Sequence, residues 1–302
     1  MRASRLRRTG SLLTLLTALA VGLPNDALLP TTLSLVKVET TKAVDFEEGT
    51  LWILALGSDA RPGEGLLDAR ADAIQLIGID FETGRAVAIG VPRDSWVAIP
   101  DHGSNRINAG LNLGGPELMG HLVEDLVGIA PDYVITVGFR GFRRLVDSVG
   151  TVQVFSKQAF SDDEFGLDIQ RGMNELDGHQ ALSLARARKS LSGGDFARSA
   201  NQQELLKGFL RRIIAGEDDT GFMESGALSA LAHLDTNLSL TELYRLAQAV
   251  TQVDLHRVTM CVITGTFGTE GGAAIVYADT QQAQRLGRDA LDDMSLKPGC
   301  DG

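Results

Sequence analysis

Acids and guanidinium groups gather at the ends of apolar runs in this chain: Asp59, Arg70, Asp72, Arg93, Asp94 and Arg106 first, then Arg186, Arg188, Arg198 and Gln202. A hard divalent cation held together with phosphates calls for carboxylates beside cationic clamps, and both are present. The spacing says most between Gly178 and Ile213. Arg186 and Arg188 stand two apart, which in an extended segment puts both side chains on one side, whereas a continuous helix would splay them by roughly 200°. A helix begun near Asp177 should therefore end at this pair. Gly193-Gly194-Asp195 reads as a loop closing on an N-cap, so Arg198 and Gln202 share one face of the first turns of a new helix. Leu206, Phe209, Leu210 and Ile213 then keep a helical apolar period. Three arginines and an amide near a helix N-terminus suit a phosphate or diphosphate, because guanidinium forks and the helix dipole both favour oxyanions. Taken singly, each residue has a plainer reading. A helix arginine is a solvated charge, a strand-end acid such as Asp59 or Asp72 caps a turn, and Arg93 pairs with Asp94 or Asp72.

The elements that must position these groups alternate. Leu51 to Leu56 is a continuous apolar run, suiting a strand buried on both faces, and it empties into Gly57-Ser58-Asp59-Ala60-Arg61-Pro62. Arg70-Ala71-Asp72 introduces a strand from Ala73 to Asp80, and Ala86 to Val91 runs into Pro92-Arg93-Asp94. A short strand from Trp96 to Ile99 precedes Arg106. Pro116 and Gly128 bracket a helix with apolar Leu118, Leu122, Val123, Leu126 and Val127. Tyr133 to Val137 reads as a strand, Phe142 to Val149 as a helix and Val152 to Phe155 as a strand. Beyond Ile213, Ser239-Leu240-Thr241-Glu242 is a capping box for a helix to about Val250. Val258 to Thr264 and Ala274 to Tyr277 follow as strands, and Gln281 to Leu291 closes the chain as a helix. Helices packed on a sheet are the expected α/β architecture, and connections short enough for hairpins make the sheet mixed. No stretch rich in Pro or Gly separates Ala215 from Leu240, so residues 49–302 form one domain, with the motifs in 51–213 and an α/β part in 214–302.

A chain of 302 residues, 44% hydrophobic and 22% charged, is ordinary for a globular protein. Its net charge of −11 argues against nucleic acid as a partner and makes clustered arginines point to a specific anion. Arg2, Arg5, Arg7 and Arg8 precede the apolar run Leu12 to Leu23, with no acid before Asp26. Residues 1–24 therefore read as an export signal, either a cleaved signal peptide or a short membrane anchor, followed by a linker over 25–48. Cys261 and Cys300 are the only two cysteines, and in an exported protein they can form a disulfide; a buried free Cys261 is the alternative. The five histidines have no metal spacing, and no G-x-S-x-G elbow or Walker loop is present.

Taken in order, GSDAR, RAD, PRD, RIN, GGPEL, the Arg186–Arg188 pair and GDFxRxxxQ resemble the LytR-CpsA-Psr family of exported cell-wall enzymes, from about Leu51 to Ile213. The resemblance implies an α/β/α layered domain whose apolar core binds a polyprenyl chain. It further implies a phosphotransferase that moves a glycopolymer from a polyprenyl diphosphate carrier to peptidoglycan at the cell envelope, membrane-associated, with Mg²⁺ or Mn²⁺ at the diphosphate. By motif, Asp59 and Asp72 match the metal-binding acids. Arg70, Arg93, Arg106, Arg186, Arg188, Arg198 and Gln202 match the diphosphate-binding groups. Arg93, Arg186 and Arg188 are also carried as catalytic, with Asp94 in a supporting or base role. Ala71 and Ala73 replace the hydroxyl residues usual around the second acid, and Arg106 replaces a lysine. A scaffold that binds the lipid diphosphate without transferring it, or a phosphatase acting on it, is the alternative function.

Overall fold

A computed structural model describes residues 31–38, 49–188, 191, 193–216, 234–236, 246 and 250–297. The N-terminal segment 1–24, the capping box at Ser239 and Cys300 lie outside the described residues. Cys261 is disulfide-bonded. Among the described residues no helix is long and apolar enough to cross a membrane.

Strand β1 (Leu33–Lys37) is followed by β2 (Thr50–Ser58), β3 (Ala71–Asp80) and β4 (Ala86–Gly90), then the small ribbon β5 (Trp96–Ile99) and β6 (Gly103–Arg106). Helix α1 (Gly110–Val127), strand β7 (Tyr133–Gly138) and helix α2 (Phe139–Ser148) come next. Four short strands, β8 (Val152–Ser156), β9 (Phe160–Asp162), β10 (Leu167–Ile169) and β11 (Gly172–Leu176), lead to helices α3 (Gly178–Arg186) and α4 (Gly194–Ala215). The chain continues through β12 (Leu234–Thr236), β13 (Val258–Val262), β14 (Gly265–Glu270), β15 (Ala273–Ala278) and helix α5 (Thr280–Asp293).

Seven strands form one sheet in the order β12-β1-β7-β2-β3-β4-β13. It is mixed, as expected: β2 pairs parallel with β7 and antiparallel with β3, while β13 pairs parallel with β4. The C-terminal part thus completes the same sheet as the motif-bearing part. Strand β1 falls inside the stretch read from sequence as a linker. Backbone pairing with β7 and β12 makes it a strand, and Leu33 and Leu35 go to the interior.

One face of the sheet is closed by α1 and α5 over Leu54, Leu56, Ile74, Leu76, Val87 and Ile89. The sequence pattern starts this helix at Pro116; the span begins earlier, at Gly110, but Gly114 and Gly115 leave helical geometry, with Gly115 at φ 69°, and Pro116 restarts the helix. The other face is covered by α4 against β3, β4 and β13, with α2, α3 and the β8–β11 ribbon around it. Here the expectation of strands buried on both faces fails in an informative way. Ile53, Ala55 and Gly57 of β2 are only half-buried, because they face a cavity rather than filled core.

Helix α4 is held over the sheet by a polar contact. Buried Gln203 Nε2 donates to Gln75 Oε1, to the Ala88 carbonyl and to the Cys261 carbonyl at 3.2, 3.2 and 2.8 Å, tying the helix to three strands at once. On its outer side α4 meets β8 closely at Gly208, where an added Cβ would sit 2.5 Å from the Gln153 carbonyl oxygen. A larger side chain must push helix and ribbon apart. We expect Gly208→Val to destabilise the fold by about 1–3 kcal/mol, read from urea denaturation.

Candidate functional site

The loop leaving β2 is closed at its neck by Asp59, whose N–H donates to the Arg70 carbonyl at 3.0 Å while its carboxylate accepts from the Arg70 N–H at 2.9 Å. Immediately after, the β2–β3 register slips: Gly57 faces Ala73 but Ser58 faces Ala71, leaving Asp72 as the extra residue of a bulge. In a regular strand Asp72 and Ala73 would point to opposite faces. The bulge lets both line the cavity. Asp72 there accepts from the Arg93 guanidinium.

Arg93 and Asp94 sit on the turn after β4, where Ser95 donates from its N–H and its hydroxyl to the Pro92 carbonyl at 3.0 and 2.7 Å. Asp94 is buried and gathers cations from three segments. Its Oδ1 lies 3.7 Å from Arg93 Nε and 3.5 Å from an Arg106 nitrogen, and its Oδ2 lies 3.7 Å from an Arg188 nitrogen. A third acid completes the group. Asp195, 0% exposed, accepts from Arg198, which is 4% exposed, and lies 3.9 Å from Arg93 Nε. Asp195 is therefore not the cap the sequence suggested. Gly193 takes the N-cap position, and Asp195 turns inward within the first turn. Its place three residues before Arg198 was the available signal.

Burial dominates the titration of these groups. It raises the Asp195 carboxyl's pKa, with Asp94 adding to the rise and Arg198 opposing it. It lowers the Arg198 pKa against the pull of Asp195, with Arg93 assisting. For Arg93, burial works against the charge, yet Asp72, Asp94 and Asp195 together raise its pKa. Arg93 Nε, Asp94 Oδ1, Asp195 Oδ2 and Arg198 Nε are buried with no hydrogen-bond partner. Such a set of unfilled donors and acceptors is what a ligand site leaves behind.

Arg186 and Arg188 part company. Helix α3 ends at Arg186, as the spacing predicts, and Ala187 is extended. But Arg188 turns to Asp94, while the Arg186 guanidinium stacks 4.7 and 4.5 Å from the ring centroids of Phe139 and Phe165 and lines the cavity. Burial lowers the Arg186 pKa, as does Arg61, whereas Asp72 and Asp59 work the other way. Sequence reasoning passed over Phe139 and Phe165, and gave Asp195 only a capping place. Gln202 donates to the Ala185 carbonyl at 3.1 Å and also lines the cavity. Arg70 is exposed, and its side chain makes no ion pair among the described residues.

Behind this charged mouth lies the cavity, about 370 Å³, within the range of small-molecule sites. Ile53, Ile135, Leu145, Leu206, Phe209 and Ile213 line it, together with Val258 and Met260 of β13. The apolar face of α4 is thus a wall, whereas Leu122 and Leu126 of α1 pack in filled core on the sheet's other side. Among the described residues no three His, Cys, Asp or Glu side chains converge as a metal cage. Magnesium bound with substrate phosphates needs only one or two carboxylates, and Asp72 at the cavity with Asp59 at the neck of the adjoining loop are oxygen donors of that kind.

A family model, the LytR_cpsA_psr family, matches residues 31–290. The chain belongs to this family. It is 33% identical over 188 residues, 58% of its length, to the Probable cell wall biosynthesis protein LcpB of Corynebacterium glutamicum, covering 45% of that protein. It is 34% identical over 167 residues, 53% of its length, to the polyisoprenyl-teichoic acid–peptidoglycan teichoic acid transferase TagU of Oceanobacillus iheyensis, covering 51% of it. The match thus spans about half the length of these curated relatives. Among solved structures, TagT bound to LI-WTA superposes with a TM-score of 0.68 at 25% identity, over 85% of this chain and 96% of that one. The family protein YwtF (TagT) with bound octaprenyl pyrophosphate lipid gives 0.63 at 24% identity, over 85% and 95%.

Within this LytR_cpsA_psr chain the Asp195–Arg198 pair is structural as well as electrostatic. Removing one partner strands the other charge in the interior. We expect Asp195→Ala to cost about 3–5 kcal/mol in chemical denaturation, and Asp195→Leu combined with Arg198→Met to recover most of the loss.

Proposed function

We propose that this protein is an exported, membrane-associated phosphotransferase that moves a glycopolymer from a polyprenyl diphosphate carrier to peptidoglycan. One observation carries the reading: an apolar cavity opens, at Asp72, Arg186 and Gln202, directly onto a group of half-buried arginines gathered around the buried Asp94 and the buried Asp195–Arg198 pair. A lipid diphosphate is the molecule with that division, a hydrocarbon tail joined to a compact anion. The transferase name of the TagU relative, and the TagT structures bound to LI-WTA and to an octaprenyl pyrophosphate lipid, support it.

The chemistry asked of the residues is positioning and charge neutralisation. An acceptor sugar hydroxyl attacks the phosphorus that bears the glycan. The new O–P bond forms as the bond to the leaving polyprenyl phosphate breaks, and the hydroxyl proton passes to Asp94 or to solvent. Arg93, Arg188 and Arg198 hold the phosphate oxygens and meet the charge that develops on the leaving group. They are free to do so because the diphosphate replaces Asp72, Asp94 and Asp195 as their counter-charge. Arg186, stacked between two phenylalanine rings, is fixed at the cavity mouth where tail and phosphate join. Asp59 and Asp72 would hold a divalent cation, which when bound supplies further neutralisation of the diphosphate.

The test is transfer of a labelled polyprenyl-diphosphate oligosaccharide to a peptidoglycan fragment. Losing a charge-assisted hydrogen bond that strengthens in the transition state costs about 1.5–3 kcal/mol, so Arg188→Ala should slow turnover by roughly ten- to a hundredfold with a smaller change in lipid binding. Asp59→Ala should lower activity and abolish its response to Mg²⁺ and to chelator. A wild-type protein that binds the lipid but neither transfers nor cleaves it is a scaffold, and one that releases polyprenyl phosphate without using the acceptor is a phosphatase.

A further inference from the structure

We infer that Phe196 and Phe267 form a stacking platform for a pyranose ring of the acceptor glycan; this rests on the transferase reading and adds to it the place where the acceptor binds. Phe267 of β14 is 62% exposed, unusual for so large an apolar ring, on a strand otherwise composed of Gly, Thr and Glu. Its centroid lies 5.2 Å from that of Phe196 in the first turn of α4, with the ring planes tilted by 54°. Gly194, at φ 55°, passes beneath Phe267 without a side chain, 3.7 Å being the clearance an added Cβ would have from the ring. Tyr277 is not part of this surface. It packs over Gly268 on the other face of the ribbon and donates to Glu270 at 2.5 Å.

The platform is fixed relative to the anion site by backbone. Ser95 bridges to Val276 of β15, and the Val276 N–H donates to the Asp94 carbonyl at 2.9 Å. The ribbon carrying Phe267 therefore grows from the same turn that carries Arg93 and Asp94. Helix α4 sets the order along the site: Phe196, then Arg198, then Gln202 at the cavity, about 9 Å from first to last at 1.5 Å per residue. Neither Phe196 nor Phe267 lines the cavity.

That order selects the occupant. In an in-line displacement the attacking oxygen approaches opposite the leaving one. The leaving oxygen belongs to the polyprenyl phosphate, whose tail lies in the cavity, so the acceptor hydroxyl must come from the Phe196 end. The C–H face of a pyranose is weakly positive and apolar, complementary to the electron-rich face of an exposed aromatic ring. Hydroxyls around the sugar rim remain in water beside Thr269, which shares the Phe267 face of the ribbon.

The experiment is an NMR titration of ¹⁵N-labelled protein with a soluble tetrasaccharide of alternating N-acetylglucosamine and N-acetylmuramic acid, followed by transfer kinetics. The expected result is shifts confined to amides of Gly265–Ala278 and the start of α4, with affinity weakened about tenfold in Phe267→Ala and retained in Phe267→Trp. In the transfer assay Phe267→Ala should raise the acceptor KM by a similar factor, leaving lipid binding and acceptor-free hydrolysis unchanged. Absence of shifts on the ribbon, or equal affinity in Phe267→Ala, overturns the platform. Binding of the donor's soluble oligosaccharide there in place of the peptidoglycan fragment overturns the acceptor assignment. Wild-type protein that binds the tetrasaccharide on the ribbon but transfers nothing upholds the platform and counts against the transferase reading.

Discussion

A carboxylate taken out of water stays charged only if cations surround it, and the converse holds for a buried guanidinium. Asp72, Asp94 and Asp195 against Arg93, Arg106, Arg188 and Arg198 satisfy both conditions at once, and the surrounding structure is arranged to bring them together. The residues come from the β2–β3 bulge, the turn after β4, the end of β6, the segment after α3 and the first turn of α4. Each is an element terminus. That is where a rigid scaffold can present side chains without giving up its own backbone hydrogen bonds. The arrangement keeps the arginines paired before any ligand arrives, yet leaves the Nε atoms of Arg93 and Arg198 without a hydrogen-bond partner.

The apolar cavity depends on the same placement of α4. Gln202 and Gln203 pin the helix near its middle, to Ala185 on one side and to three strands on the other. Further along, Leu206, Phe209 and Leu210 face the sheet across the cavity, whose floor mixes the small Ala55, Ala73 and Ala88 with Ile53, Ile77 and Ile135. Close packing elsewhere, in the α1–α5 layer and in the smaller core around Val152, Ile169 and Leu184, keeps this space from collapsing. A void next to a charge cluster would be a defect in a purely structural protein. Here the two adjoin at Asp72 and Arg186, which is why the site reads as one for an amphiphilic diphosphate.

Much of this was legible in residue order. The strand runs, the end of α3 at Arg186 and the restart of α1 at Pro116 each follow from local rules: apolar period, the geometry of a residue pair, the backbone habits of Gly and Pro. The acids and arginines that form the site were also visible by type and spacing, because phosphate chemistry uses few side chains and those are rare inside a protein. By itself, then, the sequence determined the type of the longer apolar elements and the inventory of charged groups, while β1, read as linker, and the short ribbon strands became strands only through their pairing. It did not determine which face each group would take. A bulge is set by a one-residue slip in pairing, and nothing in Arg70-Ala71-Asp72-Ala73 specifies that slip; only the β2–β3 register turns Asp72 to the cavity. Asp195 looked like a cap because a cap is the common local use of an aspartate before a helix, and its burial against Arg198 depends on the long-range contacts of α4. Likewise an apolar helix face looks the same whether it meets filled core or a space, since periodicity reports direction and not what lies opposite. Those decisions belong to tertiary packing, where side-chain volume and backbone pairing across distant segments act together.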